Sequence, residues 1–290
     1  MDLLKAGASA HDPGDADLVI VDTTLPEPWF DFRELWRYRD LVWILALRDI
    51  TVRYRQTVVG IAWTVLQPLA LMFAFGLFKQ MVTTTKSDDG SIPDVVFTLC
   101  GLILYQLFAG MISASTICLV ENRQMLTKVY FPRICLPLAA SMRPVVDFGI
   151  GMILLIAVMC WFRVTPNYAV LFAPLIVLGT GLVGLAFGMW LSALNAHYRD
   201  FGHLVPFSLN LGLLVSPVAF SSRNWTEGWK LLYFLNPMAS LIECFRWSML
   251  GAATLPGWAA IGISAASATA LLITGAWYFR RVDRFLADNI

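Results

Sequence analysis

Six stretches of the chain are apolar and are long enough, or nearly long enough, to cross a bilayer. A transmembrane helix needs about 20 predominantly apolar residues, because the hydrocarbon core is about 30 Å thick and a helix rises about 1.5 Å per residue. Prolines at positions 206, 217 and 237 break up the region of the fifth stretch. The stretches are 60–78, 95–120, 134–162, 168–194, 204–220 and 258–279. This pattern predicts an all-α polytopic membrane protein with six transmembrane helices.

The connections between these stretches differ in their content of lysine and arginine. One set holds thirteen basic residues: Arg33, Arg37, Arg39, Arg48, Arg53, Arg55, Arg123, Lys128, Arg133, Arg199, Arg280, Arg281 and Arg284. The opposite set holds six: Lys79, Lys86, Arg163, Arg223, Lys230 and Arg246. Because cytoplasmic loops carry the excess of basic residues, both termini are predicted to be cytoplasmic. An even number of spans agrees with this orientation.

An amphipathic helix is predicted at 32–50, before the first span. Apolar residues share one face at helical spacing, and most charged residues lie on the other. That apolar face consists of Phe32, Leu35, Trp36, Val42, Trp43, Ala46, Leu47 and Ile50. Each charge would cost about 2.5–3.5 kcal/mol at the bilayer centre, so a helix lying flat at the interface is favoured. Arg39 falls on the apolar stripe and must reach the surface or find a partner. The alternative is a helix packed against another protein.

The remaining segments complete a division into an acidic mobile tail at 1–28, an interface helix with its loop at 29–55, and a six-helix domain at 56–290. The only apolar run in the tail, Leu18–Val21, is too short for a signal peptide. The loop at 121–133 is short, predicted cytoplasmic and capable of forming a helix. The segment 221–251 is too apolar for a solvated loop and is broken by Gly228, Asn236 and Pro237. It predicts short helices in the outer leaflet.

Composition supports a membrane environment and gives little sign of catalysis. Of 290 residues, 58% are hydrophobic and 14% are charged, against about 25% charged in a typical soluble domain. The net charge of +1 gives no nucleic-acid footprint. Five cysteines without CxxC spacing and three histidines do not form a zinc pattern. Common nucleotide-binding and hydrolase motifs are absent, so we expect no catalytic residues, metal or cofactor on this chain.

Arg143 and Asp147 are the only ionisable residues well inside a predicted span. They stand at i and i+4 on one helix, where they could pair and offset each other's cost. A structural ion pair is favoured over a functional one. Ion-driven pumps use chains of acids and bases inside the membrane, and this sequence has none. Energy for uphill transport would therefore come from a partner.

Uncharged polar and aromatic residues recur within the predicted spans. They include Trp63, Gln67, Tyr105, Gln106, Ser113, Thr116, Trp190, Asn195, Ser208 and Asn210. Such groups commonly bind helices to one another, and they could also line a path for an uncharged sugar polymer, with aromatic rings stacking on sugar faces. The residue types leave both interpretations open. The spacing of Gly184 and Gly188 indicates a close contact between helices.

Four segments in this order resemble the ABC-2 type permeases, in the branch that exports O-antigen, capsular polysaccharide and teichoic acid. They are RYRQTVVGIAWTVLQPL at 53–69, NRQMLTKVYFPRICLPL at 122–138, YRDFGHLVPFSLNLGLLVSPVAF at 198–220, and LNPMASLIECFRWSMLG at 235–251. The resemblance extends from about Phe32 to the end of the chain. Val59 stands where the family commonly has leucine, and the acidic tail is not part of the family pattern.

The resemblance implies a homodimer that works with two copies of a separate ATPase subunit, which would bind ATP and magnesium. It assigns ATPase coupling to a helix at 121–133, with Glu121, Asn122, Arg123, Lys128, Tyr130 and Arg133. It assigns recognition of a lipid-linked pyrophosphate to Arg53, Tyr54, Arg55 and Gly60, although these arginines are equally explained as positive-inside anchors. It assigns an outer gate to 221–251, with Trp225 and Trp229, and with Glu243 and Arg246 as a local pair.

The sequence therefore predicts the membrane subunit of an ATP-driven polysaccharide exporter in the bacterial plasma (inner) membrane. An ABC-2 exporter of small drugs or lipids shares the predicted fold and is the nearest alternative. A membrane-embedded transferase on lipid-linked sugar would need an acid or base, for which Asp147, Asp200 and Glu243 are the candidates. An ion-coupled transporter is a third alternative.

Overall fold

The computed structural model describes residues 36–55, 60–82, 93–129, 131–166, 168–218, 234–251 and 255–288. Within these ranges the chain is helical and contains no strand. The helices are α1 (Arg39–Arg55), α2 (Gly60–Val82), α3 (Asp94–Glu121), α4 (Arg123–Leu126), α5 (Cys135–Trp161), α6 (Ala173–His197), α7 (Phe201–Val215), α8 (Pro237–Leu250) and α9 (Trp258–Asp288), with a 3₁₀ turn at Tyr168–Phe172. The tail at 1–28 lies outside the described residues.

Four segments in the described part of the chain are long and apolar enough to cross a membrane. They are Asp94–Glu121, Cys135–Trp161, Tyr168–His197 and Trp258–Phe279. These segments match the predicted stretches at 95–120, 134–162, 168–194 and 258–279. The first and fifth predicted stretches correspond to α2 and α7, whose apolar runs, Ala62–Leu77 and Phe201–Val215, are shorter. The all-helical prediction is confirmed, and the count of six spans stays a prediction.

Helix α3 forms the centre of the bundle. In its most apolar window 72% of the residues are buried, against 22% for α5 and 28% for Tyr168–His197. Helices α5 and α6 pack closely along it, because small residues let the backbones approach. A Cβ added at Gly188 would lie 2.5 Å from the Cβ of Ser115, and one at Gly184 would lie 3.1 Å from the Cβ of Met111. The close contact predicted from the glycine spacing is confirmed.

Buried apolar residues form two large clusters along the bundle. One joins Leu45 and Ala46 of α1 to the C-terminal parts of α3, α6 and α9 and the start of α5. We call this part of the molecule the α1 end. The other cluster joins the first half of α3 to α8 and the last turns of α5. The α1 end therefore contains α1, the segment after α3, and one end each of the four long helices α3, α5, α6 and α9.

The outward faces of the long helices are apolar. Ile153, Leu175 and Leu178 are 70%, 66% and 61% exposed. Soluble monomers rarely expose extended apolar surface, whereas lipid solvates such side chains without cost. This surface belongs to a protein embedded in a bilayer.

Candidate functional site

Helix α1 carries apolar residues on two faces, only one of which packs on the bundle. Leu45 and Ala46 are buried in the cluster at the α1 end. Trp43 and Leu47 are 61% and 44% exposed. The predicted apolar face is therefore divided: Ala46 contacts the bundle, and Trp43 and Leu47 point away from it. One face of α1 therefore packs on the bundle of its own chain, and the position of the helix at the membrane interface stays a prediction.

Two side chains at the C-terminal end of α1 meet one carboxylate of α5. Nη2 of Arg53 lies 3.2 Å from Oδ2 of Asp147, and the hydroxyl of Tyr54 donates to Oδ1 of Asp147 at 2.5 Å. Burial, followed by the hydrogen bond to Asp147, raises the pKa of Tyr54 above its usual 10. The hydroxyl consequently stays protonated and acts as a donor. Arg55, the last residue of α1, is exposed, and Gly60 is the first residue of α2.

The ion pair predicted between Arg143 and Asp147 is corrected by these contacts. Among the described residues, the ion pair of Asp147 is with Arg53, which reaches it from α1. Nε of Arg143 is buried without a hydrogen-bond partner. A spacing of four residues permits a pair on one helix, but α1 packs along α5 and brings the competing guanidinium to the carboxylate.

The predicted coupling segment forms a short helix with a polar outer surface. Helix α4 covers Arg123–Leu126, and Glu121, Arg123 and Lys128 are exposed. Met125 and Leu126 pack against the cluster at the α1 end, so the segment is held in place while its charges face outward. Arg133 is half-buried, and Tyr130 lies outside the described residues.

Asn122 connects this segment to α1. Its Nδ2 donates to the carbonyl of Cys118 at 2.9 Å, and its Oδ1 accepts from Nη2 of Arg48 at 2.8 Å. Arg48 is also paired with Asp49 at 2.9 Å. Helix α1 therefore contacts the bundle through polar groups at two places, Arg48 and the Arg53–Tyr54 pair. No sequence pattern indicates the contact of Arg48, because its partner lies 74 positions away.

Arg246 lies deep at the other end of the bundle. It is 1% exposed. Its Nε donates to the carbonyl of Phe97 at 3.1 Å and its Nη2 to the carbonyl of Val218 at 2.5 Å. The guanidinium also stacks 3.7 Å from the centre of the Phe97 ring. This one side chain therefore joins α8 to α3 and to the turn after α7.

Helix α8 is the short helix predicted within 221–251, and its ends are well defined. The side chain of Asn236 accepts from the backbone N–H of Met238 at 3.0 Å and donates to Ser216 Oγ at 3.3 Å. Gly251 ends the helix with a left-handed φ of 69°, which glycine adopts without strain. Glu243, on the same helix, is buried. Trp225 and Trp229, also assigned to the outer gate, lie outside the described residues.

The predicted lining residues separate into two environments. Trp63 is 58% exposed and Gln67 is exposed one turn later on α2. Tyr105 is 4% exposed, and its hydroxyl donates to the carbonyl of Leu209 at 2.6 Å. Gln106 is partly buried, with its Nε2 buried and without a hydrogen-bond partner. Tyr105 is thus part of the core of this chain and not of a free surface, so its predicted role as a lining residue is corrected.

Comparison with known proteins assigns this arrangement to a family. The sequence profile described as "ABC-2 type transporter" matches residues 40–250. The chain belongs to the ABC-2 type transporter family. It is a membrane subunit of the transport class and a multi-pass protein of the bacterial inner membrane, as its apolar helices also indicate. The family agrees with the resemblance found in the sequence and favours transport over the transferase alternative.

Curated relatives of this ABC-2 permease share one description. The O-antigen export system permease protein RfbA of Myxococcus xanthus is 28% identical over 216 residues, which cover 74% of this chain and 82% of the relative. Two proteins of the same name from Klebsiella pneumoniae are 27% and 26% identical, each over 71% of this chain and 79% of the relative. The similarity therefore extends over most of each protein.

Proposed function

We propose that this ABC-2 permease is the membrane subunit of an ATP-driven exporter that moves a lipid-linked polysaccharide of the O-antigen, capsule or teichoic-acid type. The observation that carries the proposal is its similarity, over about four-fifths of their length, to relatives described as O-antigen export permeases. The absence of a chain of acids and bases among the described residues of the spans favours an external energy source.

The proposal includes a partner ATPase that binds ATP and magnesium in two copies, and a homodimer of this chain. Support comes from the segment 121–129, where Glu121, Arg123 and Lys128 are exposed around a helix whose apolar residues are fixed to the bundle. A rigid, charged protrusion of this kind suits docking to a soluble protein, because exposed charges steer association and set specificity. We assign ATPase coupling to this segment.

Six spans with both termini in the cytoplasm complete the architecture that we propose. In this arrangement α2 and α7 would cross the membrane together with the four longer segments. The α1 end would face the cytoplasm, with Trp36 and Trp43, both strongly exposed, at headgroup depth. The excess of lysine and arginine on this side supports the assignment.

The Arg53–Tyr54–Arg55 sequence is the proposed site for the pyrophosphate head of the substrate. Arginine suits phosphate through its charge and its planar set of donors. Arg53 and Tyr54 already bind one carboxylate oxygen each in the structure, which supports their capacity to bind an anionic oxygen group. Trp63 and Gln67 of α2 are exposed and are proposed to line the path of the sugar chain.

Reconstitution tests the proposed function. The chain and its ATPase would be placed in liposomes containing a lipid-linked polysaccharide, and the product reaching the opposite leaflet would be measured. We expect transport only with ATP, and a loss of at least about tenfold in Lys128→Glu, because charge reversal disrupts docking. Arg163→Glu, the same kind of charge reversal at an exposed position outside the docking segment, is the control. Transport of small drugs or lipids in place of the polymer, or transport without nucleotide, would overturn the proposal.

A further inference from the structure

The carboxylate of Asp147 occupies the donors that we assign to the substrate head group. Its Oδ2 forms an ion pair with Nη2 of Arg53, and its Oδ1 accepts a hydrogen bond from the hydroxyl of Tyr54. A phosphate oxygen would use the same two donors, because both are groups that seek an anionic acceptor. The carboxylate and a phosphate cannot bind the same donor hydrogens at once. Since the hydroxyl of Tyr54 has a single donor hydrogen, a phosphate oxygen can accept it only by displacing the carboxylate of Asp147.

The ion pair between Arg53 and Asp147 is partly exposed, so it can hold Arg53 in the substrate-free chain and still be displaced by a competing anion. Asp147 is the thirteenth of the 27 residues of α5, so it lies far from either end of that helix. The side chains of Arg53 and Asp147 are 37% and 24% exposed. A fully buried pair would be costly to separate, whereas a partly exposed pair is worth little net free energy. A diphosphate, with more charge and more acceptor oxygens, can compete for Arg53.

Helix α1 links this contact to the segment proposed to bind the ATPase. Arg48 binds Oδ1 of Asn122, directly before α4. Arg53 binds Asp147 only five residues further along the same helix, which is about 7.5 Å of helix length. Leu45 and Ala46 anchor the same helix in the core. Movement at the C-terminal end of α1 would therefore reach Asn122 through a short stretch of rigid helix.

We propose that Asp147 is an internal counterion that holds the head-group donors of α1 in the substrate-free chain, and that a diphosphate head group displaces it and signals its own binding to the coupling segment through Arg48 and Asn122. The inference rests on the proposed function and adds a regulation to the same site. Asp147 acts as a positioning residue, and it is exchanged for substrate without any covalent step.

A binding experiment tests the competition. Farnesyl diphosphate is titrated onto the full chain with its ATPase in nanodiscs, with farnesol and inorganic pyrophosphate as arms that separate the lipid from the free anion. Asp147→Asn keeps the size of the side chain and an acceptor for Tyr54 but removes the charge. We expect it to bind farnesyl diphosphate about threefold to tenfold more tightly than the wild type. Asp40→Asn, an exposed change on α1, is the matched control and should bind like the wild type.

ATP hydrolysis by the same complex tests the signal. In the wild type, farnesyl diphosphate should raise the rate of hydrolysis. Asp147→Asn should hydrolyse ATP at a raised rate without ligand and respond less than half as strongly to it. Asn122→Ala should bind farnesyl diphosphate with unchanged affinity and yet lose the stimulation, because the contact between Arg48 and the coupling segment is removed. This second variant keeps the test decisive if Asp147→Asn does not fold.

The outcomes separate this inference from the proposed function. Unchanged affinity in Asp147→Asn, or full stimulation in Asn122→Ala, would overturn the inference and leave the head-group site intact. Wild-type affinity in Arg53→Gln would instead remove the head-group site itself, and the inference with it. Tighter binding of inorganic pyrophosphate alone would identify a free anion, and not a lipid-linked one, as the competitor of Asp147.

Discussion

At the scale of single residues, the guanidinium of Arg246 is a buried cation whose donors require partners. A buried cation is costly unless its donors are used. Here two backbone carbonyls and the face of the Phe97 ring surround it. The carbonyl of Phe97 and that of Val218 would each lose a donor if the side chain were shortened.

Arg246→Ala should therefore destabilise the protein. The carbonyl of Val218, in the turn after α7, would be left without this donor, which costs about 1–3 kcal/mol for an unsatisfied buried acceptor, and the missing side chain leaves a cavity besides. We expect the midpoint of thermal unfolding in detergent to fall by several degrees. Arg281→Ala is the control, because Arg281 is exposed and its ring contact among the described residues is with Trp277, at 5.4 Å. Equal midpoints for the two variants would contradict this account of Arg246.

Gly101 provides a second test of the same contact. A Cβ at this position would lie 2.5 Å from Nη2 of Arg246 and 3.2 Å from Ile242. In an open helical position, Gly→Ala stabilises a helix by about 0.5–1 kcal/mol. Gly101→Ala should instead lower the unfolding midpoint, whereas Gly149→Ala, with no atom near the added Cβ, should keep or raise it. A stabilised Gly101→Ala would show that the guanidinium is not held against α3.

Spacing along the sequence did not predict the partners of Asp147 and Tyr105, because the partners lie on distant segments. The spacing of Arg143 and Asp147 predicted a pair within one helix, but the partner of Asp147 is Arg53, 94 positions earlier. Tyr105, a plausible lining residue by type, has its hydroxyl satisfied by a carbonyl of α7. The chemistry of a side chain determines which kind of partner it requires, and the packing of distant helices determines which residue provides that partner.

At the scale of elements, α1 shows how one helix serves two environments. Ala46 is 1% exposed and Leu47 is 44% exposed, although they are neighbours in sequence. Ala46→Gln should lower the unfolding midpoint in detergent, because it places a larger polar group in a close-packed core. Leu47→Gln makes the same amide on the free face and should leave the midpoint within about a degree of the wild type. Equal losses in both would mean that both faces of α1 are packed.

Some helix ends in the structure lie where a proline or a capping residue in the sequence predicts them. The predicted stretch at 204–220 ends at Val215 in the structure because Pro217 disfavours a helical Ser216, whose ψ is 152°. Pro144 lies inside α5 and Pro68 inside α2, so a proline alone did not predict a boundary. The start of α8 at Asn236–Pro237 follows the expected pattern of a cap and an initial proline.

At the scale of the whole molecule, the central position of α3 was not predictable from hydropathy. The mean hydropathy of the best windows is 2.1 for α3, 2.1 for α5 and 2.3 for Tyr168–His197. Lipid tails and protein interior are both apolar, so burial by either leaves a similar pattern. Small residues at contacts, such as Gly188 against Ser115, were the available signal, and they showed that helices meet without showing which helix is central.

The proposed orientation predicts which surface positions a membrane-impermeant thiol reagent reaches in intact spheroplasts. Lys128 and Thr165 are both exposed, and they lie on opposite sides of α5 in the chain, because Lys128 precedes this helix and Thr165 follows it. In a chain whose five cysteines are replaced by serine, Thr165→Cys should react with the reagent from outside. Lys128→Cys should react only after permeabilisation, because the excess of basic residues retains its side in the cytoplasm.

The two positions control for each other, since a single helix, α5, separates them along the chain. If α5 crosses the bilayer once, one of the two cysteines is accessible from outside and the other is not. Labelling of both, or of neither, in intact spheroplasts would exclude a spanning α5. Labelling of Lys128→Cys alone would mean that the orientation is the reverse of the proposed one. The helix α1 and the segment 121–129 would then lie outside the cell, where no ATPase could dock. This last result would remove the proposed energy source while leaving the fold unchanged.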